Sequence, residues 1–175
     1  MLDRLPEYID PLHLADKRGQ LKGKLPLRSL DRLANMLTND SGAVLVDLFF
    51  GREGRLAKVE GHIEAVLEFE CQNCLEALIW PIDCEIKLGI VTSIDQANRL
   101  PEEYEPLIID EEKTPLKKII EDEILLNLPA FPKHQHNCII KKNNNISVSL
   151  LENDKPSFSE NPFSVLAKFK NTGDL

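Results

Sequence analysis

The sequence predicts an α+β fold: a twisted antiparallel β-sheet, open or partly closed, with two or three α-helices packed on it. Three patterns carry that expectation. From Val59 to Cys71 the apolar residues fall on odd numbers, and from Leu78 to Ile90 they fall on even numbers. Leu116, Ile119, Ile120 and Ile124 instead recur at steps of three and four. Strict alternation marks a strand with one buried and one wet face, whereas the longer step marks a helix with one apolar stripe.

Taken in order, residues 1 to 28 read as irregular, because Pro6, Pro11 and Pro26 interrupt any long period. Ser29 resembles a helix cap, and Leu30, Leu33 and Leu37 follow at helical spacing, so a short amphipathic helix is expected over 29–38. Asn39-Asp40-Ser41-Gly42 is a turn, and Ala43 to Phe50 is an apolar strand that ends at Gly51-Arg52-Glu53-Gly54. The two alternating segments form a long antiparallel hairpin with Cys71–Cys74 at its tip; Val66 is the one apolar residue on the polar face of the first. Residues 93 to 113 are acidic and broken by Pro101 and Pro106, so they read as a loop, laid across the domain by Tyr104, Leu107, Ile108 and Ile109. Thr114-Pro115 starts a helix over 115–127, since threonine caps and proline suits a first turn, and Pro129 closes it. The expected organisation is one α+β domain over 1–140, a polar linker over 141–160, and a short C-terminal helix and tail over 161–175, opened by Asn161-Pro162.

The composition is that of a globular protein, 42% apolar and 29% charged, with a formal net charge of −8. Phosphate contacts dominate nucleic-acid affinity, so a chain this acidic cannot wrap RNA over most of its surface. RNA contact would need a local patch, and the candidate is Lys17, Arg18, Lys22, Lys24 and Arg28, opposed in its stretch by Asp16 alone. The other route is through protein partners. The first residues carry charge and a proline where a signal peptide needs an apolar run, and no apolar run reaches the ~18 residues of a membrane span. A cytosolic location is expected, where the four cysteines would stay reduced.

Cys71-x-x-Cys74 is the strongest chemical signal. Two sulfurs three positions apart in a turn can hold one metal ion, and a tetrahedral site needs two more donors. His134, His136 and Cys138 offer them within one downstream segment. A closed set of nitrogen and sulfur ligands suits structural zinc. The alternatives are free thiols beside surface histidines, or a thiol-disulfide oxidoreductase. A redox pair usually sits at a helix N-terminus, whose dipole lowers the thiol pKa; here strands flank the pair, and Glu68, Glu70 and Glu76 oppose thiolate formation. Cys84 lies on the apolar face of its strand and reads as a small hydrophobe, and His13 and His62 read as surface residues. A nuclease would need convergent carboxylates, whereas Glu121-Asp122-Glu123 are adjacent on one helix. No catalytic constellation is found.

Four phrases together resemble the YceD family of large ribosomal RNA subunit accumulation proteins. They are Phe69-Glu70-Cys71-Gln72-Asn73-Cys74, Leu100-Pro101-Glu102-Glu103-Tyr104-Glu105-Pro106, the run from Ile120 to Pro129, and Asn161-Pro162-Phe163-Ser164-Val165-Leu166. The resemblance implies a non-catalytic role in synthesis, processing or stability of large-subunit (23S) ribosomal RNA, with the precursor subunit or its assembly proteins as partners. Its Pro-x-His pattern followed by Cys matches Pro132, His134 and Cys138, and favours His134 over His136 beside Cys71 and Cys74.

Overall fold

The computed structural model describes residues 3–110, 113–136 and 138. Two short strands, β1 (Asp3–Arg4) and β2 (Tyr8–Ile9), lead into helix α1 (Pro11–Lys17) and strand β3 (Gln20–Pro26). A 3-10 turn over Leu27–Ser29 and helix α2 (Asp31–Ala34) precede three long strands, β4 (Ala43–Glu53), β5 (Leu56–Glu70) and β6 (Ala77–Val91). Helix α3 (Ile94–Ala97), strands β7 (Glu105–Ile108) and β8 (Thr114–Pro115), and helix α4 (Leu116–Leu126) complete the described order. The principal sheet runs β1-β3-β4-β5-β6-β7, with β2 and β8 forming a separate antiparallel pair. Its interior pairs are antiparallel and its two edge pairs parallel, and β1 and β7 stand at opposite edges. The sheet is therefore open, and the α+β expectation holds in its open form.

Alternation decides which face is buried. Val44, Val46, Leu48 and Phe50 of β4, Val59, Ile63, Leu67 and Phe69 of β5, and Ile82, Cys84, Ile86 and Leu88 of β6 all point into one core. The helices close that core with Leu27, Leu30, Leu33, Leu116, Ile119, Ile120 and Ile124. Val66, the apolar residue out of step, is 62% exposed on the other face. Gly61 marks a close approach: a Cβ built there would lie 2.0 Å from the Asp47 carbonyl oxygen on β4.

The N-terminal segment departs from the irregular reading. Pro11 does not break a pattern but opens α1, with the Asp10 side chain accepting from the His13 N–H at 2.9 Å. The candidate basic residues consequently lie on three elements: Lys17 and Arg18 end α1, Lys22 and Lys24 lie on β3, and Arg28 is in the 3-10 turn. The helix expected from Ser29 shortens to α2, and Ser29 donates to the Pro26 carbonyl (2.6 Å) instead of capping. Thr114 likewise pairs in β8 with Ile9 and makes no cap bond. Within the acidic segment, α3 forms and β7 adds to β6 in parallel, so the stretch is docked on the domain as expected but is not a plain loop. The expected linker and C-terminal helix lie outside the described residues.

Candidate metal centre

The β5–β6 hairpin runs in register from Ala57↔Ile90 to Glu70↔Ala77 and ends in a tight knuckle. At its neck the Cys71 N–H donates to the Glu76 carbonyl at 2.9 Å, and within it the Leu75 N–H donates to the Cys71 carbonyl at 2.8 Å. Leu75 adopts a left-handed φ of 63°, a conformation costly to a side-chain-bearing residue and kept only where the surroundings enforce it. This end of the hairpin extends past the start of β4. There the Thr38 N–H donates to the Glu68 carbonyl at 2.8 Å and braces it. The segment after α4 returns to the knuckle, tied by the Gln72 N–H donating to the Pro132 carbonyl at 3.0 Å.

That return brings four donor atoms together. One ligand atom each from Cys71, Cys74, His134 and Cys138 lies within 4.8 Å of the others. The Cys71 and Cys138 sulfurs are 3.7 Å apart, and the Cys74 sulfur is 3.4 Å from His134 Nδ1. A tetrahedron with metal–sulfur bonds of about 2.3 Å has sulfur–sulfur edges of about 3.8 Å, so the spacing and the donor chemistry both fit zinc. The His134 Nε2 lies 3.2 Å from the Ala77 carbonyl; donation there leaves the Nδ1 lone pair facing the Cys74 sulfur. His136 is outside the cluster, its ring centroid 4.8 Å from that of His134. Cys84 is 3% exposed in the core opposite Ile63, where burial pushes its thiol pKa up.

The knuckle backbone also conditions the sulfurs. Burial pushes the Cys71 thiol up, but the backbone N–H groups of Cys74, Asn73 and His134 outweigh it and hold it at about 5. The Glu76 N–H pulls Cys74 down, yet burial and the Cys71 and Cys138 sulfurs push it up to about 11. One sulfur is readily anionic and the next resists, because negative charge accumulates among the neighbouring sulfurs, which in turn raise the pKa of His134. Three contributors escape the sequence pattern: the Ala77 carbonyl, the Gln72–Pro132 bond, and Asn73, whose side-chain amide donates to the Cys138 sulfur at 3.4 Å. Two are backbone groups, which no residue type announces.

A sequence model of the family described as large ribosomal RNA subunit accumulation protein YceD matches residues 59–170. A protein of Haemophilus influenzae with that same description is 33% identical over 172 residues, covering 95% of this chain and 97% of its own length. This chain belongs to the YceD family. All four phrases that carried the resemblance fall inside the matched span, as does every member of the cysteine–histidine cluster. The basic residues on α1, β3 and the 3-10 turn fall outside the match to the YceD model, and the structure does not bring them to the cluster. Lys22 is ion-paired with Asp47. No solved structure matches this YceD chain. No helix among the described residues is long and apolar enough to cross a membrane.

Proposed function

We propose that this protein is a non-catalytic factor that promotes synthesis, processing or stability of large-subunit ribosomal RNA, with a structural zinc ion held by Cys71, Cys74, His134 and Cys138. The single observation that supports the zinc reading is the convergence of these four donors from two parts of the chain, with Cys74 and His134 60 residues apart and Cys71 and Cys138 67. When bound, zinc would neutralise the accumulated sulfur charge and cross-link the hairpin tip to the segment after α4. The chain's own residues do the rest. The knuckle N–H groups direct positive dipoles at the Cys71 sulfur, Ala77 sets the tautomer of His134, and Asn73 orients Cys138. A closed four-ligand set leaves no position for a substrate, which favours a scaffold over a thiol-disulfide oxidoreductase.

The role in ribosomal RNA is carried by family membership, and the acidic balance favours contact with basic assembly proteins or ribosomal proteins in the cytoplasm. A direct RNA contact by Lys17, Arg18, Lys22, Lys24 and Arg28 is the subsidiary part of the proposal; unchanged RNA affinity on replacing all five by alanine would remove it. We also propose that residues 141–175 act as a separate linker and tail. The deciding experiment is a deletion strain scored for the ratio of large- to small-subunit ribosomal RNA, with gradient fractions probed for the protein. A fall in that ratio, with the protein in precursor fractions, is expected; an unchanged ratio overturns the functional reading.

A further inference from the structure

The wet face of the sheet holds two hollows that share one row of residues across three strands. One hollow, of about 480 Å³, lies on the Lys22 and His62 side, and the other, of about 370 Å³, lies on the Val66 and Pro81 side. The shared row is Leu45–Glu64–Asp83, paired strand to strand in register. Beyond it towards the knuckle, Val66 faces Pro81, and Ile79 faces Glu68. Leu45, Val66 and Ile79 are 38%, 62% and 59% exposed. Scattered apolar surface residues need no explanation, but a contiguous group lining a depression does.

The charged residues that line the hollow over Val66 and Pro81, Glu64 and Asp83, are both acidic. Glu64 makes no ion pair among the described residues, and Asp83 meets only His62, at 3.2 Å. Lys22 is engaged by Asp47 and Lys87 by Glu85, while Lys24 lies across Leu45 on β3, outside the lining of both hollows. A polyanion would be repelled here.

We propose that this face docks a lysine- and arginine-rich polypeptide segment that carries an apolar side chain, of the kind found in the unstructured basic tails of large-subunit ribosomal proteins. The apolar side chain occupies the hollow over Val66 and Pro81, and its basic neighbours meet Glu64 and Asp83. The inference deepens the assembly-factor reading and rests on it for the source of the partner.

The test uses the full chain and three paired variants: L45S/V66S, which removes the floor without changing charge; E64Q/D83N, which removes the rim charge; and E102Q/E103Q, which removes the same charge elsewhere. The probe is a short fluorescein-labelled peptide of lysine, arginine and two leucines, followed by anisotropy at fixed salt, with melting temperatures confirming that each variant folds. Each face variant is expected to weaken binding by about tenfold, with the E102Q/E103Q control close to wild type. Equal loss in the control, or no loss in the face variants, overturns the proposal. So does a labelled ribosomal RNA fragment, or self-association, that depends on Leu45 and Val66 where the peptide does not. In cells, absence of the wild-type protein from precursor fractions defeats the assembly reading. Presence of the wild type together with undiminished face variants defeats the docking site alone.

Discussion

Cys71 and Cys84 are both fully packed cysteines, yet the structure gives them opposite work. Cys71 sits at the knuckle with backbone N–H groups aimed at its sulfur, whereas Cys84 sits among apolar side chains with none. Cys71→Ser is therefore expected to abolish stoichiometric zinc in protein purified without chelator. Cys84→Val is expected to retain it, with stability changed by less than about 1.5 kcal/mol; elemental analysis and thermal melts of the pair decide this. Glu123 gives a second residue-scale prediction. Burial, with Glu105 and Asp122 nearby, raises its pKa from 4.5 to about 6. A carboxyl raised on folding is penalised once ionised, so its effect is absent below the unfolded pKa and grows as pH rises through the folded one. Because Glu123 is partly solvent-screened, Glu123→Gln is expected to stabilise the protein by only about 1 kcal/mol at neutral pH. No gain should appear below pH 4.5, and denaturant melts across that range measure it.

Helix α2 is four residues long and has no side-chain cap from its own sequence neighbours. Its cap arrives from α4: the buried Glu121 accepts from the Arg32 and Leu33 N–H groups at 2.8 and 3.1 Å, and from Arg32 Nε at 3.0 Å. Glu121→Ala leaves two backbone donors unmet, the Leu33 N–H buried and the Arg32 N–H partly so, and is expected to cost about 2 kcal/mol in denaturant melts, with Glu121→Gln recovering part of that by keeping an acceptor. This explains why Ser29 misled the sequence reading, since a tertiary partner overrode the local signal. The β4–β5 pair yields the complementary case. At Gly61 a Cβ meets the backbone of Asp47 and Leu48, which cannot swing aside as a side chain could. Gly61→Ala is expected to cost about 3 kcal/mol, measured the same way.

Across the whole molecule, the cysteine–histidine cluster joins positions 67 residues apart, Cys71 to Cys138. By loop-closure entropy a cross-link of that span stabilises by about 4 kcal/mol. Stripping the metal with a strong chelator should then lower the melting temperature by on the order of 10 °C, restored by adding zinc. An unchanged melting temperature after complete removal would count against the site. The same cross-link would hold the hairpin rigid while leaving the opposite sheet face open to partners.

Much of this protein was legible in residue order. The two hairpin strands, the core face, the α4 stripe and the cysteine pair are all properties of neighbours at steps of two, three and four, and period alone reveals them. The Asp10-Pro11 start of α1 was equally local, though masked by reading proline only as a breaker. The order of strands, the parallel edges and the cap on α2 could not be read that way, since each depends on a partner far along the chain. Residue types nominated His134 and His136 alike, and the family pattern favoured the first. Geometry separates them: Pro132 and Ala77 hold the returning segment so that one imidazole faces the sulfurs and the other lies beside it. Sequence spacing carries short-range periodicity, but long-range juxtaposition is set by which surfaces pack, and that is decided by the fold as a whole.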